Sequence, residues 1–161
     1  MEKNMFSEKD KEFMDIALSL AREAALDGDV PVGAVVVRDG KVIGKGRNRR
    51  EKIKNALAHA EIEAINEACG VLEGWRLTDC TLYVTLEPCP MCAGGIINSR
   101  IGRTVIALAD YKSGCFGSVI NFNTYPFNHK TGIEYGLCEN EAKALMSSFF
   151  EKLREKRNAG R

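Results

Sequence analysis

The chain has 161 residues, enough for one domain with a real hydrophobic core. Its 45% hydrophobic and 28% charged residues, with a net charge of +1, are ordinary for a soluble globular protein. The longest apolar runs are too short to span a bilayer and the N-terminus carries no apolar signal region, so a cytoplasmic protein is expected.

Helical spacing of Phe13, Ile16, Ala17, Leu20 and Ala24 predicts a helix over 8–27, with Ser7 and Asp10 as a capping pair and Gly28 as its stop. Val32–Val37 reads as a buried strand, Asp39-Gly40 as a hairpin turn and Lys41–Gly46 as the partner strand. Gly33 inside that first strand suggests a close backbone approach. Residues 47–56 are basic and aperiodic and read as a loop. A helix over 58–69, a strand over Thr81–Leu86 and a helix from Pro88 and Pro90 to about Asn98 follow. Arg103–Ala109 is the next strand, 110–131 a long irregular stretch and Gly132–Leu137 a short strand. Glu139–Lys156 is a final amphipathic helix with Ala142, Leu145, Met146, Phe149, Phe150 and Leu153 on its buried side. This alternation implies an α/β protein, a mixed sheet with helices on both faces.

Charge is uneven. Residues 1–29 carry eight acidic and four basic groups, 38–54 carry eight basic and two acidic, and the tail from Glu151 carries five basic and two acidic. The basic stretch, with Arg47, Arg49 and Arg50 at its centre, lies directly upstream of His59, where phosphate contacts would hold an incoming strand. The final helix adds Lys152, Arg154, Lys156 and Arg157.

Two short stretches carry chemistry. His59-Ala60-Glu61 and Pro88-Cys89-Pro90-Met91-Cys92 lie about 27 residues apart, each at the expected start of a helix. Cys89 and Cys92 are three apart and share one helix face, in a first turn where free N–H groups favour thiolates. One imidazole and two thiolates are the ligand set of a catalytic zinc, with a fourth position left open for water. Glu61 points away from His59, so it serves as a proton carrier rather than a ligand. A structural zinc would want a fourth Cys or His, and the only other histidine, His129, is remote in sequence. Cys69, Cys80, Cys115 and Cys138 are isolated and read as small buried hydrophobes.

The pair H-x-E and P-C-x-x-C resembles the signature of zinc-dependent nucleobase deaminases. Thr81 to Gly95, Ser99-Arg100-Ile101, Asp110 to Gly114, Gly117-Ser118, Asn128-His129 and the basic final helix make the chain similar to the tRNA-specific adenosine deaminases over nearly its whole length. The resemblance implies a single zinc-dependent deaminase domain over 1–161, a three-layer α/β/α sandwich around a five-stranded mixed sheet and a homodimer. It implies conversion of adenosine to inosine at wobble position 34 in the tRNA anticodon arm. Zinc on His59, Cys89 and Cys92 would carry a hydroxide that attacks C6, with Glu61 shuttling protons. Asn48, Val30, Ala60, Glu87, Asp110 and Lys112 are expected around the base. Arg47, Arg49, Arg50, His129, Phe150 and Arg154 are expected along the RNA, with His129 equally open to a hydrogen-bonded structural role. Phe116, Phe122, Tyr125 and Phe127 stand open between core or dimer contacts and base stacking. Ile96, Ile97 and the 119–127 loop are candidates for an apolar dimer face.

The chain departs from the family at Ala109, where some relatives have Arg, at 53–57, and at 119–127. The zinc motifs fix a chemistry and not a base, so guanine and cytosine deaminases remain competitors, and a pure RNA-binding module would not need Glu61.

Overall fold

A computed structural model describes residues 5–161. Of the acidic groups counted over 1–29, Glu2 lies outside that range, as does Lys3 of the basic ones. Helix α1 (Glu8–Leu26) is closed by a capping box in which Ser7 and Asp10 bond each other's backbone. Strands β1 (Gly33–Arg38) and β2 (Lys41–Arg47) form the expected hairpin, with Asp39 and Gly40 both at positive φ. Helix α3 (Ala60–Leu72), strand β3 (Cys80–Leu86), helix α4 (Pro90–Asn98), strands β4 (Arg103–Leu108) and β5 (Gly132–Tyr135), and helix α5 (Glu139–Ala159) complete the frame.

The five strands lie in the order β2-β1-β3-β4-β5. β1 runs antiparallel to both neighbours, while β3, β4 and β5 are mutually parallel. Strand side chains alternate between two cores. Ala34, Val36, Leu82, Val84 and Ile106 face Ala60, Ala64 and Ala68 of α3 and Ala93 and Ile96 of α4. Val35, Val37, Tyr83, Val105 and Ala107 face Met14, Ala17 and Leu18 of α1 and Ala142 and Leu145 of α5. This is a three-layer α/β/α sandwich around a mixed sheet.

The layers are close because the strands carry glycine where helices cross. A Cβ on Gly33 would stand 1.9 Å from the carbonyl oxygen of Ala17, and one on Gly46 would stand 2.0 Å from that of Ala60. Both approaches exclude any larger residue.

Three expectations need correction. Residues 47–56 hold a short helix, α2 (Arg50–Ile53), because the buried carboxylate of Asp29 accepts the N–H of Glu51 at 2.8 Å and of Lys52 at 3.2 Å. The apolar side of α5 is covered only at its start: Ala142 is buried, Met146, Phe149 and Leu153 are half-buried, and Phe150 is exposed. Ile96 and Ile97 are buried within this chain and are not free to form an outer face. No helix among the described residues is long and apolar enough to cross a membrane.

Candidate active site

His59 is the N-cap of α3 and Cys89 the N-cap of α4, both in extended backbone conformation. Each side chain therefore leaves its helix at the N-terminus, where N–H groups point outward. Cys92 lies in the first turn of α4, which Pro90 opens. The two termini converge at the carboxyl end of β3, the usual place for a ligand in a parallel sheet.

His59 Nδ1 lies 3.6 Å from Cys89 Sγ and 3.5 Å from Cys92 Sγ. All three ligand atoms fall within 4.8 Å of one another. Tetrahedral zinc with ordinary Zn–N and Zn–S bonds separates nitrogen from sulfur by about 3.5 Å. The donor set and its spacing thus fit a metal ion of that kind. The Cys92 thiol beside Cys89 holds Cys89 down to about 4, and the same hydrogen bond, with burial, pushes Cys92 up. Ligation of a metal requires both as thiolates.

Glu61, in the first turn of α3, is buried, and Cys92 Sγ stands 3.4 Å from its Oε2. Burial pushes its carboxyl up to about 7. A carboxyl poised near neutrality can both take and return a proton.

His59, Glu61 and Cys89 line a cleft of about 150 Å³, room for one base-sized ring. Val30, Val32, Asn48, Arg50, Leu86, Glu87, Asp110 and Ser113 complete its lining. Asn48 is buried; its Oδ1 accepts the N–H of Ala60 at 3.0 Å, which leaves Nδ2 as the free donor. Ala60, expected around the base, gives its N–H to Asn48 here.

A family model for MafB19-like deaminases matches residues 8–154. The tRNA-specific adenosine deaminase of Bacillus subtilis is 43% identical over 154 residues, 95% of this chain and 96% of its own. The chain belongs to the tRNA-specific adenosine deaminase family. A solved structure of a tRNA:A34 deaminase superposes with a TM-score of 0.81 at 41% identity, covering 83% of this chain and 98% of its own. Guanine deaminase from Nitrosomonas europaea shares the cytidine deaminase-like fold at a TM-score of 0.76 and 25% identity, over 86% and 83% of the two chains.

Other expected contacts of this deaminase are distributed unevenly. Glu87 lines the cleft, but both of its carboxylate oxygens are committed to the loop after β4. Asp110 turns its carboxylate onto Lys112 N–H at 3.0 Å and the Ser113 hydroxyl at 2.8 Å. Lys112 is not at the cleft; it shares a separate groove with Phe150 and Arg154 of α5. Arg47 is paired with Glu23 at 3.4 Å and Asp27 at 3.3 Å, and Arg49 with Glu63 at 2.7 Å. The acidic end of α1 thus neutralises part of the basic stretch and leaves Arg50 as its cation at the cleft. His129 Nε2 bonds the carbonyl oxygen of Ile101 at 2.7 Å. Phe116 is buried in the core, whereas Phe122, Tyr125 and Phe127 pack on one another with ring centroids 5.8–6.4 Å apart.

Sequence reasoning missed Asp29, and it named Ser118 only within the resemblance, without a role. Each matters through a tertiary bond, to α2 and to Glu87 respectively.

Proposed function

We propose that this chain is a single-domain deaminase that converts adenosine 34 of tRNA to inosine, acting as a cytoplasmic homodimer. The observation that carries the reading is the meeting of His59 Nδ1, Cys89 Sγ and Cys92 Sγ beside a buried carboxyl, in a cleft sized for one base. The tRNA-specific name shared by relatives 39–45% identical over most of the chain supports the substrate.

His59, Cys89 and Cys92 would hold zinc. Zinc there would supply Lewis-acid chemistry that makes a water nucleophilic at neutral pH. Glu61 is placed to take a proton from the attacking water and deliver it to the adenine ring nitrogen. Oxygen bonds C6, the C6–N6 bond breaks, and Glu61 passes the second proton to the departing ammonia, so adenosine and water become inosine and ammonia. Asn48 Nδ2 donates to the base, and Val30 and Leu86 pack on it. A base in duplex is out of reach of so narrow a cleft, whereas an anticodon base can be flipped in. Arg50, a cation in the lining of the cleft, would take a flanking phosphate. Exposed Val119, Ile120, Tyr125 and Phe127 offer an apolar face for a second copy.

Glu61→Ala tests the mechanism. The variant is expected to keep its fold and its zinc and to lose deamination, by at least the factor of about 10²–10⁴ typical of a general acid–base. Retained activity would remove Glu61 from its role.

A further inference from the structure

Glu87 is nearly fully buried, two residues before the first cysteine of the metal cluster. A buried carboxylate is costly unless its oxygens are saturated with donors. Here the donors come from one loop. Oε1 accepts the N–H of Asp110 at 3.0 Å and the Ser118 hydroxyl. Oε2 accepts the N–H of Phe116 at 3.0 Å and of Ser118 at 3.2 Å. The loop wraps so closely that a Cβ on Gly114 would lie 2.2 Å from Glu87 Cδ. A second link joins the same segments: Cys115 N–H donates to the carbonyl oxygen of Pro88 at 2.9 Å. If the loop only needed burial, an apolar side chain would hold it at lower cost. Three converging N–H groups demand one particular course of residues 110–118.

We propose that Glu87 is a positioning residue: it holds the 110–118 loop, with Asp110 and Ser113, as the substrate-facing wall of the cleft, in fixed register with the metal-bearing turn. The inference rests on the adenosine deaminase reading above. Residues 87 and 88 carry the loop, and residue 89 carries a metal-binding thiol, so wall and metal site move as one body. Misplacing the wall loosens the base without removing the catalytic groups.

Three variants test this with an A34 anticodon stem-loop as substrate. Glu87→Gln puts an amide N–H against at least one loop donor. Gly114→Ala leaves Glu87 intact and blocks its seat. Ser118→Ala removes one donor and serves if either of the others fails to fold. Glu87→Gln and Gly114→Ala are each expected to raise KM about tenfold or more, with kcat changed much less and zinc still at one per chain. The double variant is expected to be no worse than the worse single one. In native-state hydrogen exchange, the amides of Asp110, Phe116 and Ser118 are expected to exchange at least about tenfold faster in Glu87→Gln. A lowered melting temperature with unchanged KM would overturn the proposal, and so would loss of zinc or unchanged exchange. The exchange measurement needs no substrate. Should the wild type leave the stem-loop untouched, the adenosine reading falls, and exchange still decides whether Glu87 holds the loop.

Discussion

Asn48 Oδ1 accepts the backbone N–H of Ala60 at 3.0 Å, across the entrance to α3. One side-chain amide can thus do two things: its oxygen satisfies a free helix N–H, and its nitrogen is left as a donor in the lining of the cleft. Asn48→Asp separates them. It keeps the acceptor, adds a charge favoured at a helix N-terminus, and removes the donor. The expected result is a melting temperature close to wild type with kcat/KM lowered about 10–100-fold, the effect of one lost hydrogen bond in a buried site. Full activity would mean that Nδ2 does not touch the base.

The metal cluster makes a separate claim. Cys89→Ala is expected to lower bound zinc from one per chain to a small fraction, measured by elemental analysis after dialysis. Cys69→Ala, half-buried on α3 away from the cluster, is expected to keep its zinc. Stoichiometric zinc in the Cys89 variant would refute the ligand assignment.

Arg47 and Arg50 are only three residues apart and are expected to behave differently. Arg47 is tied to Glu23 and Asp27, whereas Arg50 stands at the cleft. Arg50→Ala should weaken RNA binding and reduce the salt slope by about 0.7, one phosphate's share on a single strand. Arg47→Ala should leave the slope unchanged and cost on the order of 1 kcal/mol of stability. Equal slopes for wild type and Arg50→Ala would remove Arg50 from the RNA contact.

Away from the site, Asp10 joins α1 to the sheet through Arg103 Nη1 at 2.8 Å and Nη2 at 3.1 Å, and through the Tyr83 hydroxyl at 2.6 Å. The Arg103 guanidinium holds the Asp10 carboxyl well below its ordinary value of 3.8. A depressed carboxylate stabilises the fold fully above its unfolded value, and that contribution is lost as pH falls through the folded value. Asp10→Asn is therefore expected to cost about 2 kcal/mol at pH 7, Arg103 being partly exposed and also paired with Glu134. In denaturant titrations the gap should shrink as pH drops below the ordinary carboxylate range. A constant gap across pH would contradict the ion pair's role.

Much of this was legible in the sequence because local chemistry and periodicity agree. Ser7 with Asp10 gave the start of α1, Asp39-Gly40 the hairpin and Gly33 the close approach, each through backbone geometry that few other residues satisfy. The meeting of His59, Cys89 and Cys92 was legible because Cys89 and Cys92 are one helical turn apart and Pro90 starts their helix. What stayed hidden is tertiary. The charge count around Arg47 and Arg49 could not show that Glu23, Asp27 and Glu63 lie against them. Helix α2 has no periodicity and exists through the Asp29 cap. Apolar spacing in α5 shows that a face exists, and not what covers it; Phe150 stays exposed.

One measurement tests the central claim most directly. The purified protein is incubated with an A34 anticodon stem-loop, with guanine and with cytidine, and products are resolved by chromatography. Inosine at position 34, with guanine and cytidine unchanged, is the expected result. Xanthine or uridine formed while the stem-loop stays adenosine would contradict it.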